Sequence, residues 1–259
     1  MDFFKTKILY IFLPVLICGC VTTEYNPASK TEDIIFISTE KEVRMGRRIA
    51  DSVEREFKLL EDKKTQEKIQ SIGEKIVAVS DRQEIVYYFK VLDDEKQVNA
   101  FALPGGYVYI FTGLLKRLKT DDEIAAVLAH EVGHIAARHS VKKLQGAMGL
   151  TLFQILAGTA GENISVRGNI NYALAQIMAG YSWEDEILAD KLSVKYTKLA
   201  GYNPEAVLTV LEMMKEKMWK DPIRPHRSIR THPRFDERIA AVKQEIYGQV
   251  SFESQINIR

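Results

Sequence analysis

The stretch from Thr120 to Ala137 constrains this chain more than any other part of it. Thr120-Asp121-Asp122-Glu123 has the form of a capping box, and it leads into Ile124, Val127, Leu128, Ala129, Val132, Ile135 and Ala136, an apolar helix that has to be buried. Set into that helix is His130-Glu131-Val132-Gly133-His134. At about 3.6 residues per turn, positions 130 and 134 lie roughly 40° apart around the axis, so both imidazoles reach one metal ion while Glu131 stands beside it. This is the HExxH pattern, two metal ligands with a general base between them. A solvated helix is the competing reading, and the apolar neighbours count against it.

A catalytic zinc needs a third protein ligand and one open position. Cysteine does not supply the ligand, because the chain's two cysteines, Cys18 and Cys20, stand close to its N-terminus. His139 follows His130 by nine residues, about 180° around a continuous helix, and reads as surface polar. The extended three-histidine form would need glycine and histidine where Ala137 and Ser140 stand. The best downstream candidate is Glu186, in Glu186-Ile187-Leu188-Ala189-Asp190. Acidic residues four apart share a helix face, so Glu186 can bind the ion while Asp190 accepts a hydrogen bond from the outer nitrogen of a ligand histidine. Glu184 and Asp185 compete with Glu186, although neither has an acidic residue four positions on.

Around these residues the pattern predicts mostly helices. Two span about 39–60 and 65–79, and a third about 181–199; Asn203-Pro204 and Pro233 each open another. Residues 85–92, 100–103 and 107–111 read as strands, with Pro104-Gly105-Gly106 as a tight turn, and a small antiparallel sheet is the expected result. The apolar, glycine-containing run 144–160 reads as a buried or surface-lying helix, with membrane contact as the alternative.

The N-terminus addresses location. Lys5 and Lys7 precede an apolar run from Ile8 to Ile17 that is too short to span a bilayer, and Cys18-Gly19-Cys20 follows. This resembles a bacterial lipoprotein leader, 1–19, with Cys20 as the lipidated first residue; 20–38 is then a polar tether, 39–250 the catalytic unit and 251–259 a tail. Val21 stands where some lipoproteins retained at the inner membrane have aspartate, which favours the outer membrane. The formal charge of +1, from 36 basic and 35 acidic residues, lacks the basic excess that nucleic-acid partners require.

Taken in order, Asn99-Ala100-Phe101-Ala102-Leu103-Pro104-Gly105-Gly106, HEVGH, ExxAD and Thr231-His232-Pro233 with Arg238 resemble peptidase family M48, over roughly 39–241. The chain is most similar to the family's soluble periplasmic branch, without the C-terminal tetratricopeptide repeats of some members. The resemblance implies an α+β, predominantly helical, gluzincin-type domain with the small sheet beside the HExxH helix. It implies one Zn²⁺ on His130, His134 and Glu186, with Glu131 as general base and Asp190 behind the ligands. It further implies that Asn99, Ala100 and Phe101 line the cleft and pair with an extended substrate, and that His232 and Arg238 lie near the ion, closing the site or stabilising an oxyanion. His226 reads as loop surface. The expected activity is endopeptidase cleavage of misfolded or unassembled cell-envelope proteins. A chaperone-like zinc lipoprotein with latent or no proteolysis is the alternative, and a metal-free structural envelope protein a more distant one.

Overall fold

A computed structural model describes residues 23–156, 166–220 and 234–248. A hairpin of β1 (Thr23–Asn26) and β2 (Thr31–Ile34) is followed by α1 (Thr39–Glu56) and α2 (Lys63–Val77). Next come β3 (Tyr88–Leu92), β4 (Ala100–Leu103) and β5 (Tyr107–Phe111), with a 3-10 turn, Pro104–Gly106, between the last two. The remainder is helical: α3 (Thr112–Leu115), α4 (Asp121–Ala136), α5 (His139–Leu156), α6 (Val166–Met178), α7 (Trp183–Leu199), α8 (Ala206–Lys220) and α9 (Phe235–Tyr247). The fold is α+β and predominantly helical.

Side chains alternate across a sheet, and here both faces are covered. Phe89, Val91, Ala100, Ala102, Val108 and Ile110 pack with α2 and α4. Phe101, Leu103, Tyr107, Tyr109 and Phe111 pack against α1, α5 and α6 on the other side. That double burial explains why β5 is apolar or aromatic throughout, and why it takes the central place. β5 inserts between the other two strands, in the order β3-β5-β4. It is antiparallel to β4 and parallel to β3, so the sheet is mixed and not wholly antiparallel as expected. β4 is left as an edge strand beside α4.

A buried ionic node joins the pieces. Glu42 of α1 accepts from both terminal nitrogens of Arg82 at 2.8 and 2.9 Å, from Arg138 Nε at 3.1 Å and from the Gly105 backbone at 3.2 Å. Arg82 also donates to the Ile135 carbonyl near the end of α4, at 3.1 Å. Burial makes such a node costly unless every charge has its partner, and here one carboxylate serves two guanidiniums and a backbone amide. Next to it, α1 runs against the Pro104–Gly106 turn so closely that a Cβ on Gly46 would lie 1.8 Å from the Pro104 carbonyl oxygen.

Residues 23–37, expected to be part of a tether, are instead structured and docked on the domain. Glu24 pairs with Arg138 at 2.7 Å and Asp33 with Lys142 at 2.8 Å, while Ile35 and Ile37 enter the core around α1. The leader with Cys20, the tail 251–259, His226, His232 and Pro233 lie outside the described residues. In the 144–160 run, Leu144 is fully buried, and no described helix is long and apolar enough to cross a membrane.

Candidate metal centre

α4 begins as its sequence dictates, with Thr120 Oγ1 accepting from the Glu123 amide at 3.2 Å. Glu123 itself reaches the Lys119 amide, one residue before the cap. The helix then carries His130, Glu131 and His134 into the interior, where they are 9, 2 and 0 % exposed. α7 starts from a complete capping box, Ser182 with Asp185, and lies along α4. Gly133 permits that approach: a Cβ there would come within 3.2 Å of the Ala189 carbonyl and of Leu192 Cβ. Glu186 is thereby buried beside both histidines.

His130 Nε2 and His134 Nε2 are 3.1 Å apart, and Glu186 places Oε2 3.6 Å from the first and Oε1 3.5 Å from the second. Two imidazole nitrogens and a carboxylate thus converge, with their donor atoms within 4.8 Å of one another. Of the three acidic rivals, Glu184 is exposed and Asp185 faces His139 at 3.3 Å, so only Glu186 meets the histidines.

The outer nitrogens are engaged as well. His130 Nδ1 lies 2.9 Å from Asp190 Oδ1. Arg238 of α9 donates through Nε and Nη2 to Asp190 at 2.6 and 2.7 Å, and its Nη1 stands 3.1 Å from Glu186 Oε2. Burial would raise the Asp190 pKa, but the Arg238 charge and the hydrogen bonds from Arg238 and His130 hold it well below the usual carboxylate range. Orienting a histidine through its second nitrogen is what a metal site needs. Among the described residues, Glu131, Glu186 and Asp190 are buried around the guanidinium of Arg238, an acidic group whose charge a divalent cation would offset. The donor set and its burial therefore fit a metal ion held by nitrogen and oxygen.

Contrary to expectation, His139 is not a surface residue: it is 1 % exposed, and its Nδ1 lies 2.8 Å from His134 Nδ1. The angular reading assumed one continuous helix, but α4 stops at Ala136 and Arg138 turns the chain with φ 56° before α5 begins. Burial pushes the His139 imidazole down to about 4 despite the opposing pull of Asp185, so it is neutral. Tyr181 stacks on His134 at 4.1 Å, and its hydroxyl meets Ser140 Oγ at 2.8 Å. Sequence reasoning put His139 on the surface and gave Tyr181 no role. The signal available was the pair Arg138-His139 directly after an apolar helix end.

Asn99, immediately before β4, is 1 % exposed and shares a cleft with His130, Glu131 and Asp190. Neither its Oδ1 nor its Nδ2 has a hydrogen-bond partner among the described residues. Val207, Val210, Leu211, Met214 and Phe235 form the apolar wall of the same cleft, which encloses ≈ 520 Å³ with open solvent included.

An HExxH helix met by a carboxylate from a later helix defines the class of metal-dependent peptidases. Comparison with known proteins agrees: the sequence profile of Peptidase family M48 matches residues 63–246, and the chain belongs to that family. It is 30% identical over 196 residues to the mitochondrial metalloendopeptidase OMA1 of Schizosaccharomyces pombe, covering 74% of this chain and 57% of that one. It is 24% identical over 215 residues to the beta-barrel assembly-enhancing protease of Escherichia coli, covering 79% and 43%. With the OMA1 of Saccharomyces cerevisiae it shares 28% identity over 278 residues, 95% of this chain and 79% of that one. The chain spans about half the length of the first two of these relatives.

Proposed function

We propose that this protein is a zinc endopeptidase whose metal is held by His130, His134 and Glu186. The observation that carries this reading is the spacing of the three donors. Zinc held tetrahedrally at about 2.0–2.1 Å separates its donors by about 3.3 Å, and the separations here are 3.1, 3.5 and 3.6 Å. When bound, such an ion supplies Lewis acidity, polarising a peptide carbonyl and lowering the pKa of water.

The chain's own residues do the rest. Glu131 takes a proton from the attacking water and returns it to the leaving amine. Asp190 fixes the His130 tautomer, so that Nε2 faces the ion. Arg238, spanning Asp190 and Glu186, holds these two carboxylates in place, a role its contacts favour over the expected oxyanion stabilisation. An extended peptide lies along the edge strand β4, gripped through its main chain, with the Asn99 amide satisfied by the substrate backbone. The apolar wall at Val207, Leu211 and Phe235 takes one aliphatic side chain beside the scissile bond.

Main-chain recognition at a strand edge suits unfolded polypeptides, because it does not depend on their sequence. Together with the lipoprotein-like leader, this supports misfolded or unassembled envelope proteins as substrates, with Cys20 as the point of membrane attachment. Glu131→Gln tests the mechanism. It is expected to retain zinc and to lose about 10²–10⁴-fold in cleavage of an unfolded protein. Full activity in that variant would overturn the assignment of Glu131, and zinc-loaded wild type that binds but never cleaves unfolded chains would favour the chaperone-like alternative.

A further inference from the structure

We propose that His139, backed by Asp185, is the positioning residue that sets the tautomer of His134 and so presents His134 Nε2 to the metal. The inference rests on the zinc reading above and adds to it a residue outside the HExxH and ExxAD motifs.

The two histidine ligands face the same problem, and the chain solves it differently for each. An imidazole coordinates through a lone pair, so its proton has to reside on the other nitrogen. For His130 that other nitrogen is Nδ1, and it lies 2.9 Å from a carboxylate oxygen, Asp190 Oδ1. For His134 the atom opposite Nδ1 is a nitrogen, Nδ1 of His139, at 2.8 Å. One proton lies between two nitrogens at that separation. If His134 Nδ1–H donates it, His139 Nδ1 accepts, and the His139 proton is then on Nε2. That nitrogen lies 3.3 Å from Asp185 Oδ1, an acceptor. The chain of donors, His134 to His139 to Asp185, is therefore consistent in only one direction, and that direction leaves the His134 Nε2 lone pair facing His130 and Glu186.

The arrangement also couples the two ligand-bearing helices. Asp185 uses Oδ2 to accept from the Ser182 amide at 3.3 Å, closing the capping box that starts α7, and uses Oδ1 to face His139. Glu186, the third ligand, is the next residue. Tyr181 stacks on the ring of His134 and is anchored through Ser140, which follows His139, so the imidazole plane is held as well as its tautomer. Burial of His139 keeps water from competing for either nitrogen.

The most direct test uses the zinc-free wild-type protein and needs no substitution. Imidazole ¹⁵N shifts of His134 are expected to show the proton on Nδ1; an Nε2–H tautomer would overturn the proposal. In variants, His139→Phe keeps the ring volume and removes the acceptor, whereas His139→Asn keeps an acceptor near the Nδ1 position. Zinc affinity by chelator competition is expected to fall about 10–100-fold in His139→Phe, the range for lost support behind a ligand, and to return to within about threefold of wild type in His139→Asn. Unchanged affinity in His139→Phe, or equal losses in both variants, would also overturn it. If the wild type binds no zinc, the metal assignment fails by itself, and the tautomer of the metal-free protein still decides the role of His139.

Discussion

Arg238 is buried with its guanidinium between Asp190 and Glu186, and the consequences of removing it follow from that position. Arg238→Met removes the guanidinium that two buried carboxylates share, which is expected to destabilise the zinc-free protein by about 3–5 kcal/mol at neutral pH. The pH dependence has a definite sign. Asp190 is held below the 3.8 of an ordinary aspartate, so its contribution in wild type is present in full above that pH and is lost as the pH falls. In Arg238→Met the carboxylates gain by protonation in acid, so the deficit is expected to shrink at about pH 3 relative to pH 7. Urea unfolding at the two pH values checks this; a deficit independent of pH would contradict the electrostatic account. Both acidic residues could be read from sequence because four-residue spacing on a helix is local. The fact that Arg238, 48 residues beyond Asp190, neutralises them was not readable in that way.

Between elements, the spacing of α4 and α7 decides whether a three-ligand site exists. The contact at Gly133 already stands at the limit for a Cβ, 3.2 Å from the Ala189 carbonyl. Gly133→Val is therefore expected to push α7 away, leaving helix content by circular dichroism close to wild type while zinc affinity falls at least tenfold, because Glu186 moves with the helix. Retained affinity would show that the two helices have slack the structure does not suggest. The start of α4 was legible through the capping-box pattern at Thr120, because capping is settled within four residues, and α7 opens on a complete box at Ser182 and Asp185. The end of α4 was not legible. Arg82 and Glu42, far away in sequence, fix Arg138 and the Ile135 carbonyl, so the break that places His139 against His134 is a tertiary event. The strand pairing shows the same limit: β3, β4 and β5 could be found, but the insertion of β5 between its neighbours depends on helices covering both faces.

For the molecule as a whole, stability and metal binding are linked. The proposed ligands come from α4 and α7, with support from α5 and α9, so an ion bound to the folded state alone would stabilise all four helices together. Zinc free at about a hundred times its Kd is expected to add about 2.7 kcal/mol, raising Tm by about 5–10 °C for a domain of this size. A chelator should remove that increment, and Glu131→Gln should keep it; no shift with zinc would count against a metal held by these helices. Spacing within a few residues was enough to set out HExxH on a buried helix, Glu186 with Asp190 one turn on, and most of the helices. Long-range packing settled the rest: His139 and Asp185 behind His134, Arg238 across Asp190 and Glu186, the docking of 23–37 onto the domain, and the mixed sheet with β4 at its edge. These depend on buried charges and apolar faces finding partners tens of residues away, and no local periodicity encodes such pairings.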